Sequence, residues 1–101
     1  MPRRAPNLDG NHARITLALR ACGWSVLSLA GVGNGCPDLL VGAKRVNVLL
    51  ELKDDKKPPS ARKLTPDEVT FLASWRGQYA VVENEVQAVA AVRAVLSGVF
   101  L

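Results

Sequence analysis

The sequence predicts a single α/β domain with the element order helix, strand, strand, strand, helix, strand, helix. Three observations carry that prediction. Apolar residues recur at helical spacing from Ile15 to Cys22. Two short apolar runs, Leu39-Leu40-Val41 and Val48-Leu49-Leu50, flank a polar turn as a hairpin would. Thr65-Pro66-Asp67-Glu68 spells a helix start, and a further strand and helix follow it. At 101 residues the chain is long enough for one modest core and is expected to form one domain over 1–101.

The elements follow in order. Residues 1–8, Met-Pro-Arg-Arg-Ala-Pro-Asn-Leu, are expected to be a flexible basic N-terminus without the apolar segment of a secretory signal. Asn7 and Asp9 are turn and cap residues ahead of a helix over about 11–21. Ile15, Ala18, Leu19 and Cys22 form its buried stripe, and Gly23 stops it. Trp24 to Ala30 reads as the first strand. The glycine-rich Gly31-Val32-Gly33-Asn34-Gly35 follows and either connects flexibly or lets backbone approach a phosphate. The hairpin comes next. Beyond Lys53, the polar Asp54–Lys63 stretch carries Pro58 and Pro59 and is expected to be an extended loop.

Thr65 caps the next helix, Pro66 takes its first position and Glu68 completes a capping box. That helix is expected to run to about Arg76, with Val69, Leu72, Ala73 and Trp75 inward. Phe71 and Trp75 are one turn apart and suit core packing better than base stacking. Tyr79 to Val82 is a buried strand. Asn84 caps a last helix over about 85–96, with Val86, Val89, Ala90 and Leu96 on one face. Gly98 ends it, leaving the apolar tail Val99-Phe100-Leu101.

Composition narrows the function classes. A 49% hydrophobic and 22% charged chain is globular rather than disordered. No apolar run is long enough to span a bilayer. The net charge of +4 favours a polyanionic partner. Cys22 and Cys36 make neither a disulfide framework nor a zinc site, so a reduced, cytoplasmic setting is expected. Cys36 has no base partner in the sequence to make it a nucleophile.

The chemistry concentrates on the hairpin. If its turn centres between Lys44 and Arg45, Asp38 falls directly opposite Glu51, with side chains on the same face. Lys53, two residues on from Glu51, shares that face. Two carboxylates this close repel unless one is protonated or a cation sits between them. A hard divalent ion such as Mg²⁺ resolves the conflict. Lys53 would then lie near a metal-bound water or a scissile phosphate. The alternative is a structural ion-pair cluster on a strand face. Lys56, Lys57, Arg62 and Lys63 form the densest basic cluster and follow the site directly, which suits contacts to backbone phosphates.

Pro37-Asp38 followed by Glu51-Leu52-Lys53 resembles the PD-(D/E)XK nuclease signature. The wider pattern, from Asp9-x-Asn11 through Gly35-Cys36-Pro37-Asp38-Leu39-Leu40-Val41-Gly42 and Leu50-Glu51-Leu52-Lys53-Asp54 to Lys63-Leu64-Thr65-Pro66, is similar to small phage and bacterial VRR-NUC-type nucleases. That resemblance spans about residues 7–91. It implies a restriction-endonuclease-like fold, a small mixed sheet flanked by helices. It implies Mg²⁺ or Mn²⁺ dependence, cutting of branched DNA such as four-way junctions, a homodimer, and a bacterial or phage-infected host cytoplasm. It implies Asp38, Glu51 and the Leu52 carbonyl as metal ligands and Lys53 as the catalytic lysine. The sequence departs from the family on the first helix, where related nucleases often carry Glu or Gln. Here the positions hold His12 and Arg14, which are assigned to the nucleic-acid surface. The rival reading is a non-catalytic basic module that binds nucleic acid or docks on a larger enzyme.

Overall fold

The computed structural model describes residues 10–98. Eight elements fall in the expected order: α1 (His12–Ala21), β1 (Ser25–Ser28), β2 (Leu39–Ala43), β3 (Val46–Leu52), a 3₁₀ turn (Pro59–Arg62), α2 (Pro66–Ser74), β4 (Gln78–Val82) and α3 (Glu85–Leu96). The cap residues Asn7 and Asp9, the basic N-terminus and the apolar tail lie outside the described residues. The residue that precedes α1 is Asn11.

The four strands form one mixed sheet in the order β1-β2-β3-β4. The first two pairings are antiparallel and β3–β4 is parallel. Parallel neighbours need a crossover, and α2 lies in it. The β2–β3 hairpin turns at Lys44 and Arg45, whose φ angles are 48° and 66°. Two left-handed residues give a turn whose twist matches the strands it joins. Leu39 therefore pairs with Leu50 and Val41 with Val48, as the turn position predicts.

That register sorts the side chains. Leu39, Val41, Val48, Leu50, Leu52, Ala80 and Val82 face one side and form the core with Ile15 and Leu19 of α1 and Ala88, Ala91, Val92 and Val95 of α3. Leu49, Glu51 and Lys53 alternate to the other side. Complete burial of a residue such as Leu50 or Val92 contributes about 1.5–3 kcal/mol, so this layer holds the sheet to the helices.

Three helix expectations need correcting. In α2 only Leu72 is buried; Val69, Ala73 and Trp75 are exposed, and Phe71 stacks on Trp75 with ring centroids 5.5 Å apart. The helix ends at Ser74. In α3 the inward face is Ala88, Ala91, Val92 and Val95, while Val86 and Ala90 face outward. The helix is apolar nearly all round, so the packing face goes to the small residues that allow close approach. In α1, Ile15 and Leu19 are fully buried but Ala18 and Cys22 only partly. The 3₁₀ turn also replaces the extended loop expected after Lys57: Pro59 opens it, where a missing N–H costs nothing.

Asn11 ties the strand ends to the first helix. It is fully buried, and its Nδ2 donates to the Lys53 carbonyl at 2.8 Å and to the Glu83 carbonyl at 2.8 Å. One amide thereby joins α1 to the residues that follow β3 and β4.

Candidate active site

The register places Asp38 and Glu51 at the end of the hairpin, one residue beyond the Leu39–Leu50 pair. Asp38 leaves the ladder in a specific way. Its backbone N–H donates to the Leu50 carbonyl at 3.0 Å, while its side-chain Oδ2 accepts the Leu52 N–H at 2.8 Å. The carboxylate is therefore oriented by the backbone of the strand that carries Glu51. Pro37, buried just before it, fixes the approach of the chain.

Glu51 is 3% exposed and Lys53 is 8% exposed. Lys53 Nζ stands 3.9 Å from Glu51 Oε2 and donates to Glu68 Oε1 at 2.8 Å. Asp38, Glu51 and Lys53 therefore converge, as the spacing predicts. Glu68 joins them, a residue whose capping role alone was legible. It performs both tasks: its carboxylate accepts from the Thr65 N–H at 2.8 Å while Thr65 caps the Glu68 N–H. The same oxygen that closes the capping box holds the lysine.

The charges are strongly coupled. Burial first, then the hydrogen bond and charge of Asp38 and the charge of Glu68, push the Glu51 carboxyl up to about 9; Lys53 opposes this. At neutral pH the Glu51 carboxyl is therefore protonated, and the proton relieves the repulsion. Glu68 behaves oppositely. Burial raises it, but hydrogen bonds from Lys53 and the Thr65 backbone, with the Lys53 charge, outweigh that and hold it below the ordinary range. Burial, Asp38 and Glu51 all push the Cys36 thiol up, so it is not an activated nucleophile.

Gly35 sets the distance between the two halves of the site. Its φ is 79°, and a Cβ there would run into the Asp67 carbonyl. The close approach this loop makes is thus to the first turn of α2, in its own chain. That contact seats Glu68 beside Lys53.

The remaining assigned residues are dispersed. Arg62 pairs with Glu83 at 3.2 Å. Lys56 and Lys63 are exposed, and Lys57 is exposed with an interaction of its own. Arg14 points to Glu85 of α3 at 3.5 Å. His12 is buried on the first turn of α1.

The donor set fits a hard divalent ion. It consists of oxygens, and burial beside Asp38 pushes the Glu51 carboxyl up, a repulsion that a cation between the two would relieve. Among the described residues no group of three or more His, Cys, Asp or Glu side chains could hold a metal, so a third ligand would be main-chain oxygen or water.

A mixed four-strand sheet with helices, carrying Asp-x₁₂-Glu-x-Lys at the end of a central hairpin, defines a restriction-endonuclease-like domain. A solved structure described as a VRR_NUC domain superposes with a TM-score of 0.57 at 26% identity, covering 82% of this chain and 95% of that one. The likeness supports a VRR-NUC-type PD-(D/E)XK nuclease. No protein-family model and no curated protein matches the chain. No helix among the described residues is long and apolar enough to cross a membrane.

Proposed function

We propose that this domain is a Mg²⁺- or Mn²⁺-dependent endodeoxyribonuclease that hydrolyses phosphodiester bonds, with branched DNA as its preferred substrate. The observation that carries the reading is the convergence of two carboxylates and a lysine on one strand end, where burial and Asp38 push the Glu51 carboxyl up. Asp38, Glu51 and the Leu52 carbonyl would hold the ion. When bound, it supplies Lewis acidity toward the phosphate and a water of lowered pKa.

The chain's own residues do the rest. The Leu52 N–H fixes the orientation of Asp38. Glu68 anchors the Lys53 ammonium, so its charge is positioned before substrate arrives rather than on arrival. Lys53 then neutralises charge that develops on the phosphate or orients the attacking water. Burial of Glu51 and Lys53 keeps their interactions in a low-dielectric setting, where each is stronger than in water. The exposed Lys56 and Lys63 suit backbone phosphates beside the site. One domain carries one such centre, so cutting two strands at a junction calls for a two-fold dimer.

The test is a cleavage panel of labelled duplex, single-strand, flap and four-way-junction DNA with Mg²⁺ or Mn²⁺. Wild type runs beside Asp38→Ala and Lys53→Ala. Metal-dependent cutting that both variants lose is the expected result. Binding that is indifferent to metal, with no product from wild type, would replace the nuclease with a non-catalytic binding module.

A further inference from the structure

A second candidate site lies along α1, outside the Asp38–Glu51–Lys53 cluster. A cleft of about 330 Å³ runs between α1 and β1, lined by His12, Thr16, Arg20, Ser28 and the apolar Leu17, Val26 and Leu39. His12, Thr16 and Arg20 are spaced one turn apart, so they form a single row down the helix. Two atoms in that row are buried without a hydrogen-bond partner among the described residues: His12 Nε2 and Thr16 Oγ1. His12 is more than nine-tenths buried. Orphaned polar atoms of this kind carry a desolvation cost that folding alone does not recover.

The chemistry of the cleft selects an anion. Among the described residues its only formally charged lining residue is Arg20, and no carboxylate lines it. One of its lining residues, His12, begins α1, where the Asn11 side chain makes no cap bond and the first turn holds no acidic residue. The helix dipole there favours negative charge. Arg20 spends one N–H on the Val26 carbonyl at 3.2 Å, which holds it along the cleft and leaves further donors. The Ser28 hydroxyl accepts from the Ala30 N–H and keeps its own proton to give.

We propose that this cleft seats a backbone phosphate of the bound nucleic acid, with His12, Thr16 and Arg20 as donors and the sugar against Leu17 and Val26. The proposal rests on the nucleic-acid reading of the active site and deepens it. It gives the first helix a substrate-positioning row of its own.

Thr16→Val and Arg20→Gln test it. Valine keeps the shape of threonine and removes only an unpartnered hydroxyl, so the variant folds and melts no lower than wild type. Binding of fluorescein-labelled single-strand and duplex DNA is followed by anisotropy in EDTA, where no cutting occurs. Each variant should bind about 5-fold more weakly, as loss of one hydrogen bond predicts. Arg20→Gln should also reduce the slope of log affinity against log salt by about 0.7–0.9. A set of oligonucleotides, each with one methylphosphonate, adds a positional readout. One position should weaken wild type and leave Arg20→Gln unaffected. Unchanged affinity and salt slope in both variants, or a wild type that binds no DNA, would overturn the cleft. Weakened binding in the variants with no cleavage by wild type would remove the nuclease reading and leave the cleft standing.

Discussion

A metal ion held by Asp38 and Glu51 as proposed would have to displace a proton, and that gives the sharpest prediction. The Glu51 carboxyl titrates at about 9 in the metal-free protein. At pH 7 about one molecule in a hundred has it ionised, so affinity for Mn²⁺ should be about 100-fold below its limit at high pH. It should rise by up to about tenfold per pH unit between 7 and 9. Titration calorimetry in two buffers of different ionisation enthalpy should show close to one proton released per ion bound near pH 7.5. The folded-state carboxyl lies above its ordinary 4.5, so its contribution to stability is complete below 4.5 and is lost as pH rises toward 9. Thermal melts of metal-free protein should decline over that window, and Mn²⁺ should restore more at each step. Glu51→Gln mimics the protonated acid; it should melt normally without metal and gain nothing from it. Affinity independent of pH, no proton release, or a Gln variant that still binds Mn²⁺ would refute the reasoning.

Other predictions address the frame around the site. Gly35→Ala forces a side chain into left-handed backbone and against Asp67, and should cost about 2 kcal/mol or more in urea unfolding. Lys44→Asn with Arg45→Gly supplies the residues a left-handed two-residue turn favours, and should raise stability by about 1 kcal/mol while leaving cleavage intact. Asn11→Ala removes both bonds to the strand ends and should cost about 2–3 kcal/mol by the same measurement. Glu68→Gln keeps a hydrogen-bonding cap but weakens the hold on Lys53; cleavage should fall at least tenfold with little loss of stability.

The parts of the site that depend on local pattern were legible. A two-residue turn at Lys44-Arg45 and apolar runs on either side fix the hairpin register, and the register alone puts Asp38 beside Glu51. The capping box was equally plain, because it involves residues three apart. What the sequence hid depends on the crossover. Glu68 reaches Lys53 only because α2 returns over the sheet, and its capping role already accounted for its presence. Gly35 looked like a phosphate loop because a requirement for close approach does not say what approaches. For α3, valines and alanines around the whole circumference leave the buried face undetermined by spacing. His12 and Thr16 were similarly silent: one turn of spacing shows a shared face, but not that the atoms on it would be buried without partners.

The Asn11 amide has a consequence in time as well as in space. It bonds to carbonyls 42 and 72 residues further along the chain. During synthesis, which delivers the N-terminal parts first, the hairpin can pair long before residue 83 emerges. The bond from Asn11 to the Glu83 carbonyl can form only afterwards. A nascent chain therefore carries its acidic pair on a hairpin whose far end is still unfastened, and the centre is complete only once the chain through Glu68 and Glu83 has been made.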